Sequence, residues 1–290
     1  MQKLILFIAT YIMVLGMDSC KKETVVSDSE SLGIGSYVTL VSAGNARIDY
    51  ANLANSKVSI TVKEYGSPVD KIKVYVTKGT ADLDRASWKF IKEFAYSGET
   101  LLEVTATQIA TALGIPPSGL EPGATYTLYN QVITKDGKTF DIANTHPDFA
   151  GIANYNMALT WAAVIVCPFV APIAGTYKVI RDDWVDWSPG DLVQVTDGPG
   201  ANQVNISAVW PNPAFGSIVS PLFVNVDPAT GAATIPSGIN WGDYGSYIAS
   251  TSTGSSGYVF SCTGQITLKV HVLAGSFGDQ GFLNLILQKQ

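Results

Sequence analysis

The stretch KVSITVKEYGSPVDKIKVYVTK, residues 57–78, contains two runs in which apolar and polar residues alternate. Every second residue of VSITV, at 58–62, and of IKVYV, at 72–76, is valine or isoleucine. This period of two gives each run one apolar and one polar face, as in a half-buried β-strand. Between the runs, residues 65–71 include Gly, Ser, Pro and Asp, which favour turns. The stretch therefore predicts two strands joined by a tight turn.

The same alternation recurs later in the first half of the chain. Residues 126–133 and 139–142 flank Asp136-Gly137, and this dipeptide accepts the positive φ of a type I′ hairpin turn. By contrast, TATQIATAL at 105–113 has apolar residues spaced four apart and is followed by a glycine. This second pattern is typical of a short helix that ends at its glycine.

Short strands and explicit turns also fill the second half of the chain. DGPG at 197–200, DPATG at 227–231 and residues 252–257 have turn composition. The candidate strands are at 161–166, 175–181, 192–196, 203–209, 222–226, 232–235, 244–249, 258–262, 265–272 and 282–288. Without a repeat of fixed period, this pattern predicts an antiparallel meander, with a small barrel and a sandwich as alternatives. We expect the last strand to close the sheet.

A domain junction is expected near the middle of the chain. Residues 144–157, NTHPDFAGIANYNM, show no clear period and are rich in turn formers. The junction separates an N-terminal domain at 35–145 from a C-terminal domain at 160–290, each long enough to bury a core. The apolar stretch 161–174 contains two prolines and is too short to span a bilayer. We interpret it as a buried strand at the start of the second domain.

The first twenty residues have the features of an export signal. Lys3 precedes an apolar run at 4–16, and Ser19 stands immediately before Cys20. The run is about 13 residues long, below the roughly 20 that a spanning helix needs. Lipoprotein signals are cut between a small residue and Cys, so we expect residues 1–19 to be removed and Cys20 to be lipidated. An ordinary secretory signal with an incidental cysteine is the alternative.

The segment after the signal and the overall charge narrow the range of partners. Residues 20–34 are polar, lack aromatic residues and show no helical period, which predicts a flexible tether. The chain carries a net charge of −6 and has no basic cluster beyond Lys21 and Lys22. Because nucleic acid is bound through a basic surface, we expect no nucleic-acid partner.

Two cysteines, Cys167 and Cys262, remain besides Cys20. In an exported protein an even pair forms a disulfide more often than a metal site or a catalytic thiol. We predict a Cys167–Cys262 disulfide, whose loop of roughly 95 residues would contribute about 4 to 5 kcal/mol on the chain-entropy model. Two buried free thiols are the alternative.

The two histidines of the chain offer no catalytic motif. His146 and His271 lie in neither a GxSxG elbow nor an HExxH helix, and two histidines alone do not predict a zinc site. His271 alternates with valines within a candidate strand, so we interpret it as a residue of a strand face.

The carboxylates leave one enzymatic alternative open. Asp182, Asp183, Asp186 and Asp191 are close enough in sequence to supply the two carboxylates of a glycosidase. Acidic loop residues are more often solvated, and this spacing fits no EF-hand loop. The GPG at 198–200 opens no helix, so it is a turn rather than a phosphate loop. We therefore expect no catalytic residues, metal or cofactor, with a glycoside hydrolase as the less favoured alternative.

One segment resembles a motif of fibronectin type III domains. In LEPGATY, Leu120, Pro122, Gly123 and Tyr126 match the LxPGxxY pattern of those domains. The resemblance implies that the leucine packs in the core and that the tyrosine hydroxyl bonds to upstream backbone. Together with the short alternating strands, it supports an immunoglobulin-like sandwich over residues 35–145. The expected fold class is all-β, with this sandwich followed by an antiparallel β-meander barrel or sandwich.

The layout of most of the chain resembles the SusE-like accessory lipoproteins of SusC/SusD-type nutrient-uptake systems. The local matches are SC-KKE after the signal, ALGI, LEPGATYTLYN, KDGKTF, CPFVAPIAGTYKV and YVFSCTG. The resemblance implies a lipid-anchored protein on the cell-surface side of the outer membrane that captures a polymeric nutrient, usually a carbohydrate, without catalysis. A glycan and a SusC/SusD-type transporter are then the expected partners. A surface lipoprotein that serves adhesion or structure, without a small ligand, is the alternative.

Several tryptophans of the second half sit beside polar or turn residues rather than within apolar runs. Indole faces stack on pyranose rings, and neighbouring carboxylates bind sugar hydroxyls. The expected ligand-binding residues are Trp184, Trp187, Trp210, Trp241, Asp183, Asp186 and Asp243.

Local sequence also predicts how these tryptophans are exposed. Strand alternation would direct at most one of Trp184 and Trp187 inward, and the Gly and Asp after Trp241 favour an exposed loop. Replacing Trp187 or Trp241 by alanine should then weaken glycan binding with little loss of stability. The alternative is that these residues plug the ends of the barrel or sandwich.

Overall fold

In the computed structural model, which describes residues 35–207 and 210–290, most of the regular structure is β-strand. The strands are β1 (Ser36–Ala43), β2 (Arg47–Asp49), β3 (Lys57–Gly66), β4 (Val69–Lys78), β5 (Lys89–Ala95), β6 (Thr100–Thr105), β7 (Thr125–Thr134), β8 (Thr139–Phe140), β9 (Thr160–Val166), β10 (Gly175–Asp182), β11 (Leu192–Asp197), β12 (Gln203–Ile206), β13 (Leu222–Val226), β14 (Ala232–Thr234), β15 (Asn240–Asp243), β16 (Ile248–Thr251), β17 (Ser256–Phe260), β18 (Gln265–Ala274) and β19 (Asp279–Lys289). The expected all-β class is confirmed. The predicted signal at 1–19, Cys20 and the tether at 20–34 lie outside the described residues.

The described part of the chain has two α-helices, α1 (Ala106–Leu113) and α2 (Pro147–Ala150). At the start of α1, the Thr105 hydroxyl accepts a hydrogen bond from Gln108 N at 3.2 Å, and the Gln108 side chain accepts one from Thr105 N at 3.0 Å. At its end, Gly114 adopts a φ of 72°, which costs glycine little. The predicted short helix is thus confirmed. Neither described helix is long and apolar enough to cross a membrane.

The two alternating runs of the opening stretch lie in different sheets of a sandwich. β3 pairs with β1 and β6 in one sheet, while β4 lies in a second sheet of order β2-β9-β7-β4-β5, with β8 beside β7. The turn at Ser67 and Pro68 carries the chain from one sheet to the other. The valines and isoleucines of both runs are buried in one shared core. Alternation therefore predicted which faces are buried, and the turn separates the strands instead of pairing them as a hairpin.

The LEPGATY segment packs as its resemblance implied. Leu120 and Tyr126 are buried in the sandwich core, and the Tyr126 hydroxyl accepts a hydrogen bond from Glu121 N at 3.4 Å. Gly123 has a φ of +81°, and a Cβ on it would lie 2.9 Å from the ring of Phe260. Glycine is required here both by the backbone conformation and by close contact with the C-terminal strands.

One strand lies elsewhere than expected. Residues Thr160–Val166, expected to begin the C-terminal domain, form β9, which pairs antiparallel with β7 and parallel with β2. The predicted strand is present, but its assignment to the C-terminal domain is corrected, because these hydrogen bonds place β9 in the sandwich. An apolar run alone predicts a buried strand but not the sheet that receives it.

The strands after β9 close into a ring. β10, β11, β12, β13, β14, β17, β18 and β19 each pair antiparallel with two neighbours, and β19 pairs with both β18 and β10. The β15–β16 hairpin is joined to the end of β18. Of the two alternatives, the pairings favour a barrel, and the last strand closes it as expected.

The interior of this barrel is filled by side chains. Residues that point inward from successive strands are almost fully buried and form one continuous core. They include Tyr177, Val179, Val193, Val195, Val204, Ile206, Val224, Ile266, Leu268, Leu285 and Leu287. The barrel is therefore a packed core, and any ligand site must lie at its ends or on its outer surface.

The predicted disulfide is present and joins the two groups of strands. Cys167 and Cys262 form it, with an S–S distance of 2.10 Å and Cα atoms 6.0 Å apart. Cys167 follows β9 of the sandwich, and Cys262 follows β17 of the barrel. Val170 N also donates to the hydroxyl of Ser261 at 3.0 Å. The disulfide therefore fixes the last strand of the sandwich to the barrel wall.

Candidate functional site

A cleft of about 380 Å³ opens where the turn after β10 meets the loop between β15 and β16. We call it the barrel cleft. It is lined by Asp183, Trp184, Asp186, Tyr244, Tyr247, Gln280 and Leu283. Aromatic rings, carboxylates and an amide therefore meet in one open site.

Asp182, the last residue of β10, builds the turn that carries the first three of these residues. Its carboxylate accepts hydrogen bonds from the backbone N–H of Trp184 at 2.9 Å, Asp186 at 3.1 Å and Trp187 at 3.0 Å. It also accepts one from the indole N–H of Trp210. Burial raises the pKa of Asp182, while the hydrogen bonds from Trp187, Trp210 and Trp184 oppose that rise. A single half-buried carboxylate thus satisfies the tight backbone of the turn.

The same turn contains a strained residue. Val185 adopts a φ of 66° and is 80% exposed. A β-branched side chain strongly disfavours this left-handed region, so the conformation costs free energy that the surrounding hydrogen bonds must offset. Because the backbone turns at Val185, strand alternation does not apply there. It therefore could not predict that Trp184 and Trp187 both pack against the barrel core.

Asp183 is held by neighbours on two strands. Its carboxylate pairs with the Arg181 guanidinium, with Nε 2.6 Å from Oδ1, and accepts hydrogen bonds from the backbone and side-chain amides of Asn284 at 2.9 and 2.7 Å. Chiefly through the hydrogen bonds from Arg181, the pKa of Asp183 falls to about 2. Asp183 is therefore an ionised group at the edge of the cleft, and most of its hydrogen-bonding capacity is already used.

Asp186 lies in a different environment. Its Oδ2 accepts a hydrogen bond from the Tyr244 hydroxyl at 2.6 Å and one from Asn212 N at 3.0 Å. Burial raises the pKa of Asp186, and burial together with the bond to Asp186 raises the pKa of Tyr244. Among the described residues, no group donates to Asp186 Oδ1. That oxygen is a free acceptor in the cleft.

The aromatic members of the cleft form a continuous row. The ring centroids of Trp184 and Tyr244 are 5.6 Å apart, those of Tyr244 and Tyr247 are 5.3 Å apart, and Tyr247 lies 4.8 Å from Phe277. The row starts on the barrel core and ends at Phe277, which is 61% exposed. It offers apolar contact along the cleft from its buried end to solvent.

Burial corrects part of the predicted site. Trp210 is 3% exposed and Trp241 is fully buried, so the expected exposed loop at Trp241 is wrong. Both indoles pack against Trp184 and against each other, because a turn, a loop and a strand that are distant in sequence bring them together. Trp187 is half-buried against the same core and does not line the cleft. The alternative that these residues plug the end of the barrel therefore describes Trp210 and Trp241.

Three of the seven expected residues, Asp183, Trp184 and Asp186, line the barrel cleft. Asp243 does not line it, and its carboxylate accepts a hydrogen bond from Gly245 N at 2.8 Å in the hairpin loop. Sequence reasoning missed the two tyrosines of the cleft, although they share the WGDYGSY segment with Trp241. Gln280 and Leu283 gave no local signal, because they reach the cleft from the last strand.

The histidines lie outside the cleft. The His271 ring contacts Thr253 O at 3.0 Å through Nδ1 and Asp279 at 2.9 Å through Nε2, and it stacks on Phe282. Both ring nitrogens are thus engaged in tying β18 to its neighbours. In the parts of the chain that the structure describes, no group of three or more His, Cys, Asp or Glu residues is placed to hold a metal ion.

Comparisons with protein-family models, curated proteins and solved structures give no match. The resemblance to SusE-like lipoproteins therefore stays a prediction from the sequence. Function has to be inferred from the chemistry of the barrel cleft.

Proposed function

We propose that this chain is a non-catalytic lipoprotein of the outer-membrane surface that binds a polymeric nutrient, a glycan, beside a SusC/SusD-type uptake system. The observation that supports glycan binding is the composition of the barrel cleft. It combines three aromatic rings with two carboxylates and an amide, and none of its lining residues is cationic.

Each part of this lining matches a part of a sugar. The apolar face of a pyranose ring packs on aromatic side chains, and its hydroxyls donate to carboxylate and amide oxygens. Asp186 Oδ1 is an unengaged acceptor, and no described residue hydrogen bonds to the Tyr247 hydroxyl. These two groups are available to a ligand without breaking a bond within the protein.

The absence of catalysis is proposed from the way in which the carboxylates are held. A glycosidase needs one carboxylic acid and one carboxylate that are both free to act on the glycosidic bond. Asp183 is engaged by Arg181 and Asn284, and Asp186 is engaged on one oxygen by Tyr244 and Asn212. The pair is thus better suited to orienting hydroxyls than to transferring protons.

Tyr247→Ala is the sharpest test, because this side chain contributes to the cleft without supporting the fold through a hydrogen bond. In affinity electrophoresis against a panel of neutral polysaccharides, we expect wild type to be retarded by at least one member. The variant should bind that member about tenfold more weakly, which corresponds to about 1.4 kcal/mol.

The matched control is Tyr65→Ala, which removes a tyrosine that is 62% exposed on the sandwich. Its glycan binding should equal that of wild type. Wild type that binds no polysaccharide in the panel, or equal losses in the two variants, would contradict glycan binding in the cleft. Release of reducing ends from a bound polysaccharide would support the hydrolase alternative instead.

A further inference from the structure

A second group of exposed aromatic and apolar side chains lies on the sandwich. Tyr65 is 62% exposed, Phe149 50%, Ile152 40% and Tyr155 39%, with half-buried Tyr37 between them. We call these five residues the tyrosine surface. Soluble proteins rarely expose such a group together unless it contacts a partner.

Contacts show that these residues are neighbours. Tyr37 and Tyr65 face each other across β1 and β3, with ring centroids 5.0 Å apart. Leu40 N of β1 donates a hydrogen bond to Asn156 O, so Tyr155, the residue before Asn156, lies beside the strand that carries Tyr37. Phe149 lies 6.3 Å from Tyr155, between ring centroids. The surface therefore runs continuously from β3 across β1 to the segment around α2.

Main-chain hydrogen bonds hold that segment against the edge of β1. Leu40 N donates to Asn156 O at 2.9 Å, and Ala158 N donates to Val38 O at 2.8 Å. The Asn156 side chain donates to Leu40 O at 2.6 Å. The apolar side chains around α2 are thus presented by backbone that is fixed to the strand, and their exposure is a property of the fold.

The position of this surface in the chain points to its partner. β1 begins at Ser36, and Tyr37 is its second residue. The predicted lipid anchor, Cys20, precedes Gly35 by 15 positions, which can span at most about 50 Å. The start of β1, and with it Tyr37, is therefore held within about 50 Å of any bilayer that holds the lipid. Tyr247 of the cleft lies in the barrel, much further along the chain from this attachment point.

We propose that the tyrosine surface rests on the lipid bilayer to which Cys20 is anchored. This proposal rests on the lipid anchor of the proposed function and does not depend on glycan binding. Tyrosine suits a membrane–water interface because its ring is apolar and its hydroxyl stays hydrated. The ring of Phe149 and the side chain of Ile152 can enter the apolar boundary. Lys63, paired with Thr39 on the same strands, adds a cation beside the surface.

The test is hydroxyl-radical footprinting of the full-length lipoprotein on vesicles of phosphatidylethanolamine and phosphatidylglycerol. Protein that floats with the vesicles is oxidised, and modification is read residue by residue by mass spectrometry. The same chain carrying Cys20→Ala, kept in solution without vesicles, gives the reference. We expect Tyr65, Phe149 and Tyr155 to lose most of their reactivity on vesicles.

Two internal controls are present in the same molecule. Phe215 and Phe277 are 64% and 61% exposed on the barrel and should keep their reactivity on vesicles. Combining Tyr65→Ser, Phe149→Ser and Ile152→Ser should restore the reactivity of Tyr155 on vesicles, whereas Phe277→Ser should not.

The outcomes separate the two proposals. A wild-type chain that does not float contradicts the anchor and, with it, the contact between this surface and lipid. A chain that floats while Tyr65, Phe149 and Tyr155 stay fully reactive contradicts only the membrane contact. Protection of these residues by a polysaccharide or by a transporter pair in the absence of lipid would also overturn it, because the surface would then serve a different partner.

Discussion

The sandwich and the barrel both shield carboxylates from water, fully at Asp141 and partly at Asp182 and Asp186, but they neutralise them differently. In the sandwich, fully buried Asp141 receives a two-pronged ion pair from Arg85, with N–O distances of 2.7 and 2.9 Å, and a hydrogen bond from Gln131. In the barrel, Asp182 and Asp186 have only uncharged donors, and burial raises the pKa of both. The buried Asp141, paired with a cation, serves the fold, whereas a partly desolvated carboxylate without a cation is typical of a binding or catalytic site.

The largest effect is expected from the indole core beneath the barrel cleft. Trp241→Ala should lower the free energy of unfolding by about 4 kcal/mol, because a fully buried large side chain is removed. Urea denaturation measures this change. The result would replace the sequence-based expectation that Trp241 could be removed with little loss of stability.

Trp241→Phe is the matched variant for this experiment. Its indole N–H is buried and has no hydrogen-bond partner among the described residues, so phenylalanine keeps much of the ring contact and removes an unsatisfied donor. We expect this variant to lose clearly less stability than alanine. Equal stability of wild type and Trp241→Ala would show that the indole does not belong to the core.

The second effect separates the two kinds of carboxylate. Arg85→Ala leaves Asp141 buried without its cation and should cost about 3 kcal/mol, at the low end for a broken buried pair since the arginine is half-exposed. Arg181→Ala removes the partner of Asp183 at the rim of the cleft and should cost clearly less than Arg85→Ala, because this pair is screened by solvent. Losses of equal size in the two variants would remove the distinction between a structural pair in the core and a pair at the surface of the site.

The pH dependence of stability should have opposite signs for the two carboxylates of the cleft. Asp183 has a folded pKa of about 2, below its usual value, so it adds stability above that usual value and loses it as the pH falls toward about 2. Asp186 has a raised folded pKa, so it subtracts stability above that pKa, and the penalty disappears as the pH falls through it toward the usual value.

Asp183→Asn and Asp186→Asn isolate these contributions. The stability of wild type minus that of Asp183→Asn should rise with pH, and the corresponding difference for Asp186→Asn should fall with pH. Unfolding free energies measured in urea at a series of acidic to neutral pH values provide both curves. Two curves of the same sign would contradict the assignment of different environments to the two side chains.

Local periodicity predicted the strands because it depends on neighbours within one strand. It could not assign β9 to the sandwich, since its partners β2 and β7 are distant in sequence. The burial of Trp241 was missed for the same reason, because Trp184 and Trp210 reach it from other parts of the barrel. The cleft was predicted only where its residues are contiguous in sequence, at 183–186, and Gln280 joins it from the last strand.

The smallest predicted effect concerns the strain in the turn of the cleft. Val185 has a φ of 66° and an exposed side chain, so replacing it with asparagine removes little packing while supplying a residue that tolerates this conformation. Val185→Asn should raise the free energy of unfolding by about 1 kcal/mol. Val219→Asn is the control, because Val219 is 51% exposed without a positive φ, and it should bring no gain. Should Val185→Asn instead lower stability by a similar amount, the valine side chain would have to make contacts that outweigh its backbone strain, and the turn would be held by more than the hydrogen bonds to Asp182.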